Sequence, residues 1–66
     1  MTVADLIRTR RNALGLSQAE LAARASTGQA FVSRVESGRS TPTIPVLERL
    51  AAALDCEVVL SLAPRR

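Results

Sequence analysis

The sequence predicts an all-α domain of four short helices followed by one short β-strand. Three observations carry this expectation. Four runs of apolar residues recur at helical spacing, residues that start or stop helices bracket each run, and the last apolar run changes to a spacing of two. At 66 residues the chain is one domain, 1–66. A chain of this size buries only roughly 60% of the surface its unfolded form exposes, so it calls for support from disulfides, metal or oligomerisation. Its single cysteine, Cys56, cannot close an intramolecular bridge, and without histidine the ligands of a structural zinc are missing. No metal or other cofactor is expected, and oligomerisation remains as the support.

The first helix begins after Thr2, an N-cap with Asp5 in capping-box position, and runs from about Val3 to Leu14 on the stripe Val3, Leu6, Ile7 and Leu14. Gly15 stops it, and Leu16 can pack back on its last turn. Ser17 opens a second capping box with Glu20, and a short helix from about Gln18 to Ala25 buries Leu21, Ala22 and Ala25. Ser26, Thr27 and Gly28 break it, with Gly28 as N-cap of a third helix from about Gln29 to Ser37. Gly38 ends that helix, and Arg39 to Thr43 is a polar loop. The fourth helix starts at Thr43, tolerates Pro45 in its first turn and buries Leu47, Leu50, Ala51 and Leu54. It stops at Asp55, a residue type that tolerates the left-handed conformation better than most.

From Cys56 the period becomes two: Cys56, Val58, Leu60 and Leu62 alternate with Glu57, Val59, Ser61 and Ala63, and Pro64 ends the run. A lone strand cannot satisfy its backbone groups, so the expectation is an antiparallel ribbon with a second copy across a twofold axis. Residues 57–62 would form it, with Val58, Val59, Leu60 and Leu62 as dimerisation contacts. The alternative is a short fifth helix or a frayed tail.

Composition narrows the function. The chain is 47% hydrophobic and 23% charged, with Phe31 its only aromatic residue, so the core is aliphatic. Nine basic residues, all arginine, against six acidic ones give a net charge of +3. Arginine suits bidentate recognition of phosphate and guanine. Without His, Lys, Tyr or Trp, and with scattered carboxylates, little remains for general base or nucleophilic catalysis, which argues against an enzyme. No apolar run is long enough for a membrane span, and the N-terminus lacks the apolar core of a signal peptide, so a cytoplasmic protein is expected, at the nucleoid if it binds DNA.

Helices two and three, joined by a three-residue turn over residues 17–37, have the sequence form of a helix-turn-helix. On the third helix Phe31, Val32 and Val35 mark the buried side, leaving Gln29, Ala30, Ser33, Arg34 and Ser37 on a face without acidic residues. Small residues permit close approach to a major groove, glutamine can grip adenine, and arginine can grip guanine O6 and N7. Arg11 lies on the buried stripe between Ile7 and Leu14, and Glu36 lies four residues after Val32. Charges in such places are seldom unpaired.

The stretch Leu14 to Arg39 resembles the lambda-repressor-like helix-turn-helix family, of Cro/cI or XRE type. The resemblance lies in Ser17-Gln18 with Glu20-Leu21-Ala22, then Val32-Ser33-Arg34-Val35-Glu36-Ser37-Gly38 at the family spacing. It implies a compact helical domain whose third helix reads the major groove, usually as a homodimer on a palindromic operator of double-stranded DNA. It further implies that Gln18 binds a phosphate and braces Gln29. Gln29, Ala30, Ser33 and Arg34 would face bases. Arg39, Ser40 and Thr41 would contact phosphate from the following loop, and an Arg11–Glu36 ion pair would join helices one and three. Arg10, near the start of helix two, is a further phosphate candidate. The sequence departs from the family at Gly28, where relatives often carry a capping Ser or Thr and backbone N–H groups must serve instead, and at Ser26, which replaces the usual turn glycine.

The expected function is therefore sequence-specific transcriptional regulation, with repression by promoter occupancy as the simplest mechanism. The strand also resembles that of HipB-like antitoxins, dimers that repress their own operon and hold a toxin; a toxin partner enters on that resemblance alone. A stand-alone phage-type or restriction-control regulator is the competitor. From a different class, the same fold can serve as a protein-interaction module without DNA readout, in which case Arg34→Ala would have no DNA phenotype.

Overall fold

A computed structural model of the chain describes residues 1–65. It contains four helices, α1 (Val3–Ala13), α2 (Gln18–Arg24), α3 (Gln29–Glu36) and α4 (Ile44–Ala53). The starts follow from side chains that replace the missing helical acceptors of the first turn. Thr2 and Ser17 each accept from the backbone N–H three residues on, and the Asp5 and Glu20 carboxylates return the bond to the cap backbone, giving two complete capping boxes. Those bonds to Thr2 and Ser17 hold the carboxyls of Asp5 and Glu20 below the ordinary range, and Arg8 adds to the effect at Asp5. Thr43 caps α4 by accepting from the Val46 N–H. Gly28 begins α3 with no side-chain cap.

All four helices end alike. The residue two beyond the last helical one, Gly15, Ser26, Gly38 or Asp55, has φ of 69, 55, 79 or 56°. The N–H of the next residue then reaches back to the helix, as in Leu16 to the Arg11 carbonyl (3.1 Å), Thr27 to Ala22 (2.9 Å), Arg39 to Arg34 (2.9 Å) and Cys56 to Ala51 (2.8 Å). This is the Schellman stop. Glycine meets it without penalty; at Ser26 and Asp55 a Cβ in the left-handed region costs about 1 kcal/mol or more. Each predicted helix ran one residue too far, because Leu14, Ala25, Ser37 and Leu54 are the C-caps.

The helices enclose an aliphatic core of Ile7, Leu16, Leu21, Ala22, Ala25, Val32, Val35, Leu50 and Leu54, against which Leu14, Phe31, Val46 and Leu47 pack. Leu21 and Val32 are completely inaccessible. One belongs to α2 and the other to α3, so the core they share anchors both helices flanking the turn.

The expected C-terminal strand over residues 57–62 is not formed: among the described residues there is no strand, and residues 56–65 run without regular structure. A strand requires a ladder partner, and the chain supplies no second β segment to provide one. Nor does the alternation divide a buried face from a wet one. Val59 is 81% exposed, Leu60 65% and Leu62 99%, while Val58 alone of the expected dimerisation residues is half-buried. A fifth helix does not form there either.

Candidate nucleic-acid interface

The surface to be judged is the outer side of α3. Its position follows from the inner side, where Val32, Val35 and Glu36 are buried. Helical geometry then turns Gln29, Ala30, Ser33, Arg34 and Ser37 outward, and all five are exposed. No carboxylate interrupts this face. The Arg34 guanidinium lies 5.9 Å from the centre of the Phe31 ring, an i, i+3 contact on the helix surface. The Ser37 hydroxyl donates to the Arg34 carbonyl at 3.0 Å, tying off the last turn. At the other end the first helical bond runs from the Val32 N–H to the Gly28 carbonyl at 3.2 Å. The N–H groups of Gln29, Ala30 and Phe31 thus have no helical acceptor and carry the positive end of the α3 dipole.

Behind this face sits a buried ionic cluster. Glu36 is 4% exposed, and its carboxylate accepts from Arg11 Nε at 2.6 Å and Nη2 at 2.9 Å. Burial pushes the Glu36 carboxyl up, but hydrogen bonds from Arg11 and Gln18 and the charges of Arg11 and Arg8 outweigh it and hold the group below its ordinary value. The same pairing raises the Arg11 guanidinium. The third prong of Arg11, Nη1, donates to the Leu16 carbonyl at 2.7 Å, so one side chain joins α1, the loop before α2, and α3. Gln18 Nε2 reaches Glu36 Oε1 at 3.3 Å, which holds the start of α2 against the end of α3.

Several arginines direct donors to backbone carbonyls of the domain itself. Arg8 donates to the Glu36 carbonyl (3.0 Å) and pairs with Asp5 (2.6 Å). Arg10 Nε donates to the Leu54 carbonyl at the end of α4 (3.0 Å). Arg49 Nε and Nη2 donate to the carbonyls of Ala25 and Ser26 (3.2 and 3.4 Å). The C-termini of α2, α3 and α4 thus each receive an arginine from another helix, which complements the negative ends of the dipoles, while α1 carries Arg10 and Arg11 in its own last turn.

The residues singled out in the sequence are thus distributed as follows. Gln29, Ala30, Ser33 and Arg34 share one exposed face. Gly28 and the N-terminal N–H groups of α3 adjoin its start, and Gln18 is half-buried behind, bonded to Glu36. Arg39 and Thr41 are exposed and Ser40 half-buried in the loop following α3. Arg10 is engaged with the end of α4. Sequence reasoning missed the carbonyl-capping role of Arg10 and the whole contribution of Arg49; the one signal available for Arg49 was its place beside the buried Leu50.

Four helices, a tight α2–α3 turn and an acid-free outer α3 face define a helix-turn-helix domain of the DNA-binding kind. The profile of the helix-turn-helix family HTH_3 matches residues 7–60, and the chain belongs to that family. Over 64 residues it is 38% identical to the uncharacterised HTH-type transcriptional regulator y4dL of Sinorhizobium fredii, an alignment covering 97% of this chain and 32% of that protein. The chain therefore spans about a third of the length of that curated relative. Among solved structures it is similar to the restriction-modification controller protein C.AhdI from Aeromonas hydrophila, with 34% identity, a TM-score of 0.81 and coverage of 83% of this chain and 80% of that one. It is also similar to the biofilm master regulator SinR in complex with DNA, with 30% identity, a TM-score of 0.80 and coverage of 85% and 90%. The family is one of transcriptional regulators rather than enzymes. No described helix is long and apolar enough to cross a membrane.

Proposed function

We propose that this domain binds a specific double-stranded DNA site through α3, as a homodimer on a palindromic operator, and regulates transcription by occupying the promoter. The observation that carries the reading is the exposed, acid-free face of Gln29, Ala30, Ser33 and Arg34 on a helix whose opposite side is anchored in the core. Arg34 reads guanine through O6 and N7, and Gln29 reads adenine, while Ala30 and Ser33 keep the helix close to the base edges. Gln18, the backbone at Gly28, Arg39, Ser40 and Thr41 hold phosphates on either side, a role that fixes register without reading sequence. Arg10, whose Nε donates to the Leu54 carbonyl, adds a further phosphate contact through its Nη groups.

The homodimer is supported by apolar surface. Met1, Leu6, Val59, Leu60 and Leu62 are all exposed, and α1, α4 and residues 56–60 line a groove of about 650 Å³. Two domains related by a twofold axis would set two α3 helices about 34 Å apart, one DNA turn. The antitoxin reading loses the strand that suggested it, and the likeness to a restriction-modification controller favours a stand-alone regulator. Selection of preferred duplexes from a random library tests the proposal. Enrichment of an inverted repeat supports it, whereas binding without sequence preference, falling away with added salt, transfers the surface to protein recognition.

A further inference from the structure

The angle at which α3 leaves the body of the domain is set by the turn from Ala25 to Gly28, and that turn is built without the residue its conformation favours. Ser26 has φ 55°, in the left-handed region, and is exposed, so no burial of its own side chain holds it there. What meets the turn is a side chain from α4. Arg49 directs Nε to the Ala25 carbonyl and Nη2 to the Ser26 carbonyl, taking the C-cap carbonyl of α2 and the next one with a single planar fork. Its backbone is immobilised by its neighbour Leu50, which is 1% exposed, and Arg49 lines a shallow dimple together with Ala52, Ala53 and Arg24. The cation also sits at the negative end of the α2 dipole.

We propose that Arg49 is a positioning residue for DNA readout: it clamps the helix-turn-helix turn in its left-handed conformation, supplying from α4 the hold that a turn glycine would make unnecessary. Arg8, Arg10 and Arg11 reach other helix ends and none touches this turn. The inference rests on the reading of α3 as the base-contacting helix. It gives α4, which packs on α2, a share in sequence discrimination.

The test is a four-protein cycle of the unsubstituted chain, Arg49→Met, Ser26→Gly and the double variant, where methionine retains the apolar stem without the donors. Arg49→Met should weaken binding to the selected duplex about fivefold to tenfold and to a random duplex by less than about threefold, since it removes charge-assisted hydrogen bonds that orient a helix and only one cation. In the Ser26→Gly background the same substitution should change selected-site affinity by less than about twofold, because glycine adopts the left-handed φ without the Cβ strain that the clamp offsets. Urea midpoints of the four proteins read the clamp without DNA: Arg49→Met should lower the midpoint clearly in the parent and little with Ser26→Gly. Equal losses on both duplexes, or equal effects in both backgrounds, overturn the proposal and leave Arg49 a surface charge. If the unsubstituted chain selects no site, the DNA reading fails by itself, while the urea cycle still decides whether Arg49 clamps the turn.

Discussion

Arg11→Met should come close to unfolding the domain. The guanidinium places two nitrogens on Glu36, at 2.6 and 2.9 Å, and a third on the Leu16 carbonyl, with the Arg11 side chain 13% exposed and that of Glu36 4%. Its removal leaves a carboxylate in the core held only by Gln18 at 3.3 Å and the more distant charge of Arg8. Breaking such a buried pair costs about 3–5 kcal/mol, against a total stability of roughly 3–10 kcal/mol for a chain of this length. At about 4–8 °C per kcal/mol, the melting midpoint should fall by some 15 °C or more. The pH dependence should also reverse. In the parent, the Glu36 carboxyl titrates below its unfolded value, so its contribution is complete above that value and is lost as pH falls through the folded one. In Arg11→Met, burial is no longer outweighed and the folded carboxyl rises above the unfolded value, so that acidification toward pH 5 neutralises it and recovers stability. Circular-dichroism melts at pH 7 and pH 5 would show both effects, because pH 5 still lies above the unfolded carboxyl value: Glu36 leaves the parent midpoint unchanged between them, while the variant midpoint rises at pH 5. A variant midpoint within about 4 °C of the parent at pH 7, or one that does not rise on going to pH 5, would refute the assignment of Glu36 as a buried, Arg11-dependent charge.

Three other outcomes follow from the same geometry. Gly38→Ala should destabilise by about 1–2 kcal/mol in urea unfolding: the φ of 79° strains any Cβ although no atom lies within 4 Å of it, so an unchanged midpoint would place the stop elsewhere. Ser17→Ala removes the acceptor for the Glu20 N–H and should cost about 1 kcal/mol, most of which Ser17→Asp should restore. Leu60→Asp combined with Leu62→Asp should shift sedimentation equilibrium toward monomer with the monomer melting profile retained; an unaltered dimer would exclude this segment from the interface.

The parts of the fold legible in the sequence were those governed by neighbours in the chain. Thr2 with Asp5 and Ser17 with Glu20 announce helix starts because a capping box is local, and Gly15 and Gly38 announce stops because a left-handed φ favours glycine. Ser26 and Asp55 adopt the same stop less visibly, since their types are compatible with many conformations. The inward positions of Arg11 and Glu36 could be read from periodicity, but the bond from Gln18 to Glu36 depends on how α2 docks on α3. Arg10 and Arg49 were illegible for a further reason: they bind backbone carbonyls, which have no side-chain signature to pair with. The expected strand failed because alternation at Val58, Leu60 and Leu62 states which side chains share a face and not whether a second segment is available to form a ladder. The outer α3 face, in contrast, was nearly complete in the sequence, because a helix of eight residues with Val32, Val35 and Glu36 inward leaves only one arrangement for the others.

The central claim is that α3 reads bases and that Arg34 is one of the reading side chains. It is tested most directly by selecting duplexes from one random library with the parent and with Arg34→Ala in parallel. The account predicts an inverted-repeat consensus for the parent and, for the variant, the same repeat with preference for guanine lost at one symmetry-related pair of positions, where a bidentate contact contributes about 1–3 kcal/mol of discrimination. Identical consensus sequences from the two proteins, or a uniform loss of binding with every position still specified, would contradict it.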